Sequence, residues 1–158
     1  MQIISFFSPL LENIVSDFTI KAKLNEYLVY GSFAFAYYTN LNIEIHDVDI
    51  LVKREHIEQI ASRLEKFNDY CTVYRFDGGL HVNLNNFTGL DNKPFDISID
   101  ALDRVGKDIN LSEFTLLITH NVRIKLIKKE ELLQIYKIAV KAHPEKKHEY
   151  EKKVDLLT

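Results

Sequence analysis

The chain has 158 residues, of which 46% are hydrophobic and 27% are charged, as in an ordinary globular protein with one domain over 1–158. A net charge of −3 argues against a dedicated nucleic-acid binder, no apolar run approaches the ~20 residues of a membrane span, and we expect no signal peptide at the N-terminus. Cys71 is the only cysteine, which excludes an intramolecular disulfide and favours a cytoplasmic location.

The spacing of apolar residues predicts alternating helices and strands in the first half of the chain. Ser8 and Pro9 have the character of an N-cap and a first helical residue, so a helix is expected to begin there. The elements expected after it are the strand Tyr27–Tyr30, a short helix Phe33–Tyr38, the strand Asp47–Val52 and an amphipathic helix over 55–67.

The second half is predicted to begin with a β-hairpin, because two apolar runs flank the turn Asp77-Gly78-Gly79. The elements expected here are the strands Cys71–Phe76 and Leu80–Leu84, a polar loop over 85–93, the strand Phe95–Ile99, a short helix Leu111–Phe114, and the helices Glu130–Ala142 and Pro144–Leu156. The order predicts an α/β (α+β) fold in which a small mixed sheet carries packed helices and a C-terminal helical pair.

A glycine-serine turn at Gly31-Ser32 joins the first predicted strand to the helix that follows it. A helix N-terminus offers unpaired N–H groups and the positive end of the helix dipole. Gly31 would let the backbone approach a phosphate closely, and the Ser32 hydroxyl would add a donor. An ordinary strand-to-helix turn has the same sequence, so the turn gains meaning only together with other residues.

Two carboxylates lie at alternate positions at the start of the strand Asp47–Val52. Side chains at i and i+2 of a strand point to the same face, so Asp47 and Asp49 are expected to project together. Adjacent carboxylates repel each other, and a hard divalent cation is their natural partner. The alternative is a solvent-facing strand edge, but the apolar run that follows favours a sheet centre with the acids at its end.

A third acidic residue is expected from the strand Phe95–Ile99. Asp96, Ser98 and Asp100 share one face of that strand, and Asp96 is the better candidate because Asp100 fits a cap or turn position at the strand end. A neighbouring strand that supplies a third carboxylate would complete a site for two Mg²⁺ ions about 3.5–4 Å apart. That carboxylate would also be a candidate general base.

The order of strand, Gly31-Ser32, helix, Asp47-x-Asp49, helix, hairpin and strand with Asp96 resembles the nucleotidyltransferase fold of the DNA polymerase β superfamily. The resemblance covers about 26–100 by motif and 124–158 more loosely. The chain looks like the small single-domain members, which include lincosamide and aminoglycoside nucleotidyltransferases and those of toxin–antitoxin and abortive-infection systems.

This resemblance implies a role for each candidate site residue. The turn Gly31-Ser32 would contact a triphosphate, Asp47, Asp49 and Asp96 would bind Mg²⁺, and Asp96 would complete the catalytic site. Family members often place a lysine near the phosphates on a later helix, and Lys137 is the matching candidate, with a plain surface lysine as the alternative for this residue. Tyr136 and Tyr150 have the residue type to stack on a base, but their helical spacing favours the core.

The resemblance predicts a Mg²⁺-dependent transfer of a nucleoside monophosphate from ATP or another nucleoside triphosphate to a hydroxyl acceptor. A small-molecule acceptor is favoured, and a tRNA end or a protein side chain remains an alternative, as in toxin-type members. A non-catalytic, antitoxin-like partner and a plain divalent-cation-binding domain are the rival classes. We also expect that so small a domain pairs with a second copy to complete the acceptor site.

Overall fold

The computed structural model describes residues 9–88, 93–119 and 122–158. The helices of this part are α1 (Pro9–Lys21), α2 (Gly31–Thr39), α3 (Ile57–Leu64), α4 (Lys129–Ala142) and α5 (Lys147–Leu157). Its strands are β1 (Leu28–Tyr30), β2 (Asp47–Val52), β3 (Cys71–Phe76), β4 (Gly79–Thr88), β5 (Pro94–Ala101), β6 (Thr115–Thr119) and β7 (Val122–Leu126). Short 3₁₀ helices are Arg54–His56, Leu102–Val105 and Pro144–Lys146.

The strands that the structure describes form one mixed sheet of seven, in the order β3-β4-β5-β2-β1-β7-β6. Strand β2 lies at its centre, antiparallel to β1 and parallel to β5. Strand β7 pairs parallel to β1, and the hairpins β3-β4 and β6-β7 form the two outer parts of the sheet. The mixed sheet with packed helices confirms the predicted α/β (α+β) fold class.

The alternation of side chains along β2 divides the protein into two cores. Val48, Ile50 and Val52 point into the larger core, in which α1 and α3 bury their apolar stripes against the sheet. Leu51, one position out of phase, points to the opposite face and joins the smaller core formed with α2, α4 and α5. The carboxylates of Asp47 and Asp49 are in phase with Leu51, so they lie on the face that the C-terminal helices cover.

Most expected elements are present, and the differences have local causes. The predicted helix Leu111–Phe114 is wrong, because the Asn110 side chain accepts hydrogen bonds from the backbone N–H and hydroxyl of Ser112 and holds a turn instead. Strand β4 continues to Thr88, into the expected loop, and α3 ends at Leu64 rather than at residue 67. The capping role expected of Ser8 lies outside the described residues.

The structure has the antiparallel strands β6 and β7 where no strand was expected. Val122, Ile124 and Leu126 alternate with basic residues, and all three are buried. Within the described ranges, no helix has both the length and the apolar character needed to cross a bilayer.

Candidate active site

The register of β2 and β5 brings the predicted acidic residues onto one face of the sheet. Asp47 is the direct Cα partner of Asp96, and Asp49 is the partner of Ser98 on the same parallel pair. Partners in register project to the same side, so the side chains of Asp47, Asp49 and Asp96 share one surface. All three acids are half-buried. The structure therefore places the three carboxylates that the sequence singled out on one face of the sheet, at neighbouring positions of β2 and β5.

The Gly31-Ser32 turn lies next to these acids because β1 is antiparallel to β2. Tyr30, the last residue of β1, pairs with Asp49, so helix α2 begins beside the carboxylates. Gly31 has a φ of +66°, a conformation that favours glycine. A Cβ at this position would overlap with Oδ2 of Asp49. The turn thus needs glycine both for its backbone conformation and for the space that Asp49 occupies.

The N-terminus of α2 is open to a ligand. In the described part of the chain, no side chain caps this helix at Tyr30, and Gly31 and Ser32 both line a cavity of about 410 Å³. The first N–H groups of a helix have no partners within the helix. The nine-residue helix α2 therefore directs unpaired donors and its positive end toward the surface that carries Asp49.

The charge balance around Asp49 is unfavourable for an ionised carboxylate. Burial, together with the nearby carboxylates of Asp47 and Asp100, raises the pKa of Asp49 to about 8. Burial also raises the pKa of Asp47 and of Asp96 above the ordinary range. The ammonium of Lys153 opposes the shifts at Asp47 and Asp49. An additional cation at this surface would relieve the repulsion between the acids.

Asp100 differs from the other acids because protein groups already satisfy its oxygens. The Tyr30 hydroxyl donates a hydrogen bond of 2.6 Å to Asp100 Oδ2, and Arg104 forms an ion pair of 3.3 Å with Oδ1. Asp100 lies within β5 rather than at its end, which corrects the expected cap or turn position. Through Tyr30 and Arg104, Asp100 connects β1 to the segment after β5 and stabilises the structure beside the acids.

The C-terminal helices supply a lysine to the site, but it is Lys153 rather than Lys137. Lys153 of α5 lines the same cavity as Gly31, Ser32 and Asp49. Lys137 is exposed and lines a separate groove between α4 and α5. The prediction placed the cation on α4, whereas the packing of the helix pair brings α5 to the acids.

Three aromatic rings hold the Lys153 ammonium. Its Nζ lies 5.2 Å from the ring centre of Tyr136, 5.7 Å from that of Tyr150 and 5.8 Å from that of Phe35. Contacts of this kind orient a cation without neutralising it. In the sequence, Lys153 lies three residues after Tyr150 and one before Val154, but this spacing alone does not distinguish it from Lys137.

On the opposite side of the acids, strand β4 adds His81. His81 is the register partner of Ser98, and its Nδ1 is 3.3 Å from the Ser98 hydroxyl. The ring also lies 5.1 Å from the ring of Phe76. His81 is exposed, and its positive form would lower the pKa of Asp47 and Asp96. It was not among the residues singled out, since the order of β4 and β5 is not visible in the sequence.

The side chains as they stand do not form a finished metal centre. In residues 9–88, 93–119 and 122–158, no three histidine, cysteine or acidic side chains are grouped closely enough to hold an ion. Two carboxylates beside an uncapped helix N-terminus could still bind an ion if a ligand supplied the remaining oxygen atoms.

The sequence has no match among protein-family models, and no curated protein matches it. Its three-dimensional structure does match eight chains of solved structures, and nucleotidyltransferases are among them. The chain is therefore a small protein with the nucleotidyltransferase fold.

Three of these structures illustrate the similarity. An antigenic nucleotidyltransferase-like protein from Paracoccidioides brasiliensis is 12% identical with a TM-score of 0.64, over 94% of this chain and 73% of that one. The lincosamide antibiotic adenylyltransferase LnuA, bound to lincomycin, is 17% identical with a TM-score of 0.56, over 96% and 98% of the two chains. ANT(2")-Ia in complex with adenylyl-2"-tobramycin is 10% identical with a TM-score of 0.58, over 94% and 87%.

Proposed function

We propose that this chain is a Mg²⁺-dependent nucleotidyltransferase that transfers a nucleoside monophosphate from ATP, or another nucleoside triphosphate, to a hydroxyl acceptor. The observation that carries the proposal is the register of β2 and β5, which aligns Asp47 with Asp96 beside the Gly31-Ser32 turn. The same fold occurs in the lincosamide adenylyltransferase LnuA and in ANT(2")-Ia, which was solved with an adenylylated ligand.

The triphosphate would bind at the N-terminus of α2. Backbone N–H groups there have no partner within the helix, and Gly31 has no side chain to keep a phosphate away. Lys153 lines the same cavity and would add a positive charge from the other side. These donors are directed at phosphate oxygens, so their role is to fix the position of the α-phosphorus.

Asp47 and Asp49 fit a magnesium site that is completed by the substrate. Mg²⁺ commonly binds one or two carboxylates together with phosphate oxygens and water. The raised pKa of both residues indicates that their charges lack sufficient compensation within the protein. Bound Mg²⁺ would neutralise charge on the carboxylates and on the reacting phosphates. We propose two ions at this site.

Asp96 would receive the proton of the acceptor hydroxyl. It lies next to Asp47, and its pKa is raised by burial, which makes its carboxylate a better base than an exposed one. The acceptor oxygen forms a bond to the α-phosphorus, the bond from that phosphorus to the bridging oxygen breaks, and pyrophosphate leaves. The proton moves from the hydroxyl to a carboxylate oxygen of Asp96.

The acceptor would approach over β4 and β5, on the side of Asp96 away from the C-terminal helices. His81 and Tyr74 are exposed on this part of the sheet. The neighbouring carboxylates of Asp47, Asp96 and Asp100 disfavour a polyanion, which supports a small molecule with a hydroxyl group as the acceptor.

Calorimetry with Mg²⁺ and ATP tests whether the protein binds the nucleotide as proposed. Wild type is expected to bind the nucleotide, and the double variant Asp47→Ala/Asp49→Ala is expected to lose most of the affinity. The matched control is Asp69→Ala/Asp108→Ala, which removes two exposed acids away from the site and leaves the same net charge. Equal binding by the wild type and the Asp47/Asp49 variant would contradict the assignment of the carboxylates.

Pyrophosphate release with a panel of hydroxyl compounds tests the transfer itself. A panel of polyhydroxylated small molecules, a tRNA mixture and a protein extract separates the acceptor classes. Turnover with small molecules supports the proposal as stated. Tight nucleotide binding without turnover on any class would favour a non-catalytic binding protein.

A further inference from the structure

The two edges of the sheet differ in how they are protected from pairing with another strand. Among the described strands, β3 forms one edge and β6 the other. The outer side of an edge strand has unpaired N–H and C=O groups, and charged side chains are a common means of keeping other strands away. On β3, Arg75 forms ion pairs with Glu58 and Glu65. Strand β6, Thr115–Thr119, has no charged residue and no proline.

Strand β6 also exposes apolar side chains beside its open edge. Leu117 points into the larger core, so Leu116 and Ile118 are directed to the opposite face of the sheet. Ile118 is 59% exposed and Leu116 is half-buried. An uncharged edge strand with exposed apolar side chains is the type of strand that pairs with another chain. This edge therefore has the features of an interaction surface.

The sequence of β6 is complementary to a second copy of itself in antiparallel register. When two copies meet with Leu117 at the two-fold axis, Leu116 of each chain lies opposite Ile118 of the other. Thr115 lies opposite Thr119 in the same register. Apolar side chains thus meet apolar ones, threonine meets threonine, and no like charges lie opposite each other.

The nearest basic residues do not oppose this pairing. Arg123 of β7 is the register partner of Ile118 and shares its face of the sheet. In the paired arrangement, three strand spacings separate Arg123 from its copy, about 14 Å, which exceeds the Debye length of about 8 Å at physiological salt. Lys125, the partner of Leu116, donates a hydrogen bond of 2.6 Å to the backbone oxygen of Asn25, which holds its charge on the β1 side of β7.

We propose that β6 pairs antiparallel with β6 of a second copy of this chain, so that the two sheets join into one continuous sheet. The pairing does not depend on the proposed function. Strand β5 is four strand spacings from β6, about 19 Å, and the acids lie on β2 and β5. Each copy would therefore keep a separate site, unlike the pairing expected from the sequence, in which a second copy completes the acceptor site.

Sedimentation equilibrium of the full chain tests the proposal. Wild type is expected to shift from the 18.5 kDa of one chain toward twice that mass between about 5 and 500 µM, because a strand of five residues forms a small interface. Ile118→Lys adds a charge to the edge and is expected to weaken the dimer by more than about tenfold. The matched control is Tyr74→Lys, since Tyr74 is 53% exposed on the other edge strand, and this variant is expected to dimerise as wild type does.

A second variant tests the register and separates a loss of pairing from a loss of folding. Leu116→Glu alone is also expected to be monomeric, because it too adds a charge to the edge. In an equimolar mixture with Ile118→Lys, the glutamate of one chain lies opposite the lysine of the other, so dimers are expected to return. Circular dichroism of each variant at low concentration measures whether the fold is kept.

A wild type that stays at 18.5 kDa over the whole concentration range overturns the proposal. So does an Ile118→Lys variant that dimerises as wild type does, or a Tyr74→Lys variant that loses the dimer. A mixture of folded Ile118→Lys and Leu116→Glu chains that remains monomeric overturns the register centred on Leu117. A failure of nucleotide binding would contradict the proposed function and leave the dimer unaffected, since these measurements contain no ATP.

Discussion

The carboxylate of Asp49 lies directly against the α-carbon of Gly31. A Cβ on residue 31 would overlap with Oδ2 of Asp49 and come within 3.1 Å of its Cγ. The Gly31-Ser32 turn and Asp49 are therefore packed against each other, and each limits the position of the other.

Gly31→Ala is expected to destabilise the protein by about 2–4 kcal/mol, since it combines a strained positive φ with overlap onto Asp49. The control is Gly78→Ala, which has a similar φ of +80° but meets flexible side-chain atoms of Arg54 and Arg104. We expect the control to lose only about 1–2 kcal/mol in urea unfolding. Equal losses would show that the contact with Asp49 has no energetic importance.

Asp49→Asn is expected to change how stability depends on pH. Between about pH 4 and pH 8 the unfolded Asp49 is ionised while the folded one keeps its proton, so the free energy of unfolding falls as pH rises. Asparagine has no such proton, and the variant is expected to be more stable than wild type by about 1–3 kcal/mol at pH 8. Urea unfolding at pH 5 and pH 8, in EDTA, measures the difference.

The exposed Asp69→Asn is the reference for Asp49→Asn, and it is expected to follow the wild-type pH dependence. The same stabilised Asp49→Asn protein is expected to lose Mg²⁺-dependent nucleotide binding. A variant that is less stable than wild type at both pH values would contradict the raised pKa of Asp49.

Asp96→Asn and Asp100→Asn are expected to separate catalysis from stability. Asp96 has no ion pair within the described structure, so its variant should keep its unfolding temperature and lose transfer by more than about a hundredfold. Asp100→Asn weakens bonds to Tyr30 and Arg104, so it should lose about 1–3 kcal/mol of stability and keep most transfer. Pyrophosphate release and thermal unfolding are measured for both variants. A loss of transfer in Asp100→Asn and a loss of stability in Asp96→Asn would contradict the roles assigned to the two residues.

Lys153→Met is expected to weaken nucleotide binding by about tenfold to a hundredfold, the effect of one charge-assisted hydrogen bond to a phosphate. Methionine keeps an apolar side chain among the rings of Phe35, Tyr136 and Tyr150, so the fold should tolerate it. Lys137→Met, at the exposed position outside the cavity, is expected to bind as wild type does. If calorimetry with Mg²⁺ and ATP shows a larger loss of affinity for Lys137→Met than for Lys153→Met, Lys137 is the lysine that contacts the phosphates.

The acidic pair was predictable because it depends on local rules. Alternation alone puts Asp47 and Asp49 on one face, and the strand bounds Asp47–Val52 and Cys71–Phe76 match the structure. The alignment of Asp47 with Asp96 depends on β5 lying parallel to β2, and the sequence reaches it only through the family resemblance. Pairing across 49 residues of chain has no local signal.

For a similar reason, the sequence could not identify which lysine faces Asp49. Lys137 and Lys153 lie on consecutive helices, and each has apolar neighbours at helical spacing. Only the packing of α4 and α5 against the sheet decides which of them faces Asp49. The strand β7 is different, because the alternation of Val122, Ile124 and Leu126 with basic residues is a local signal for a strand.

The penultimate residue of the chain, Leu157, is 2% exposed and belongs to the same core as Leu28 and Leu51. Leu157 lies one helical turn beyond Lys153, so its burial anchors the end of the helix that carries the cation. If Lys153 binds the triphosphate as proposed, the affinity for the nucleotide would depend on an apolar residue that lies outside the cavity. Substitutions at residue 157 would then change the affinity while the acids and the glycine turn stay unchanged.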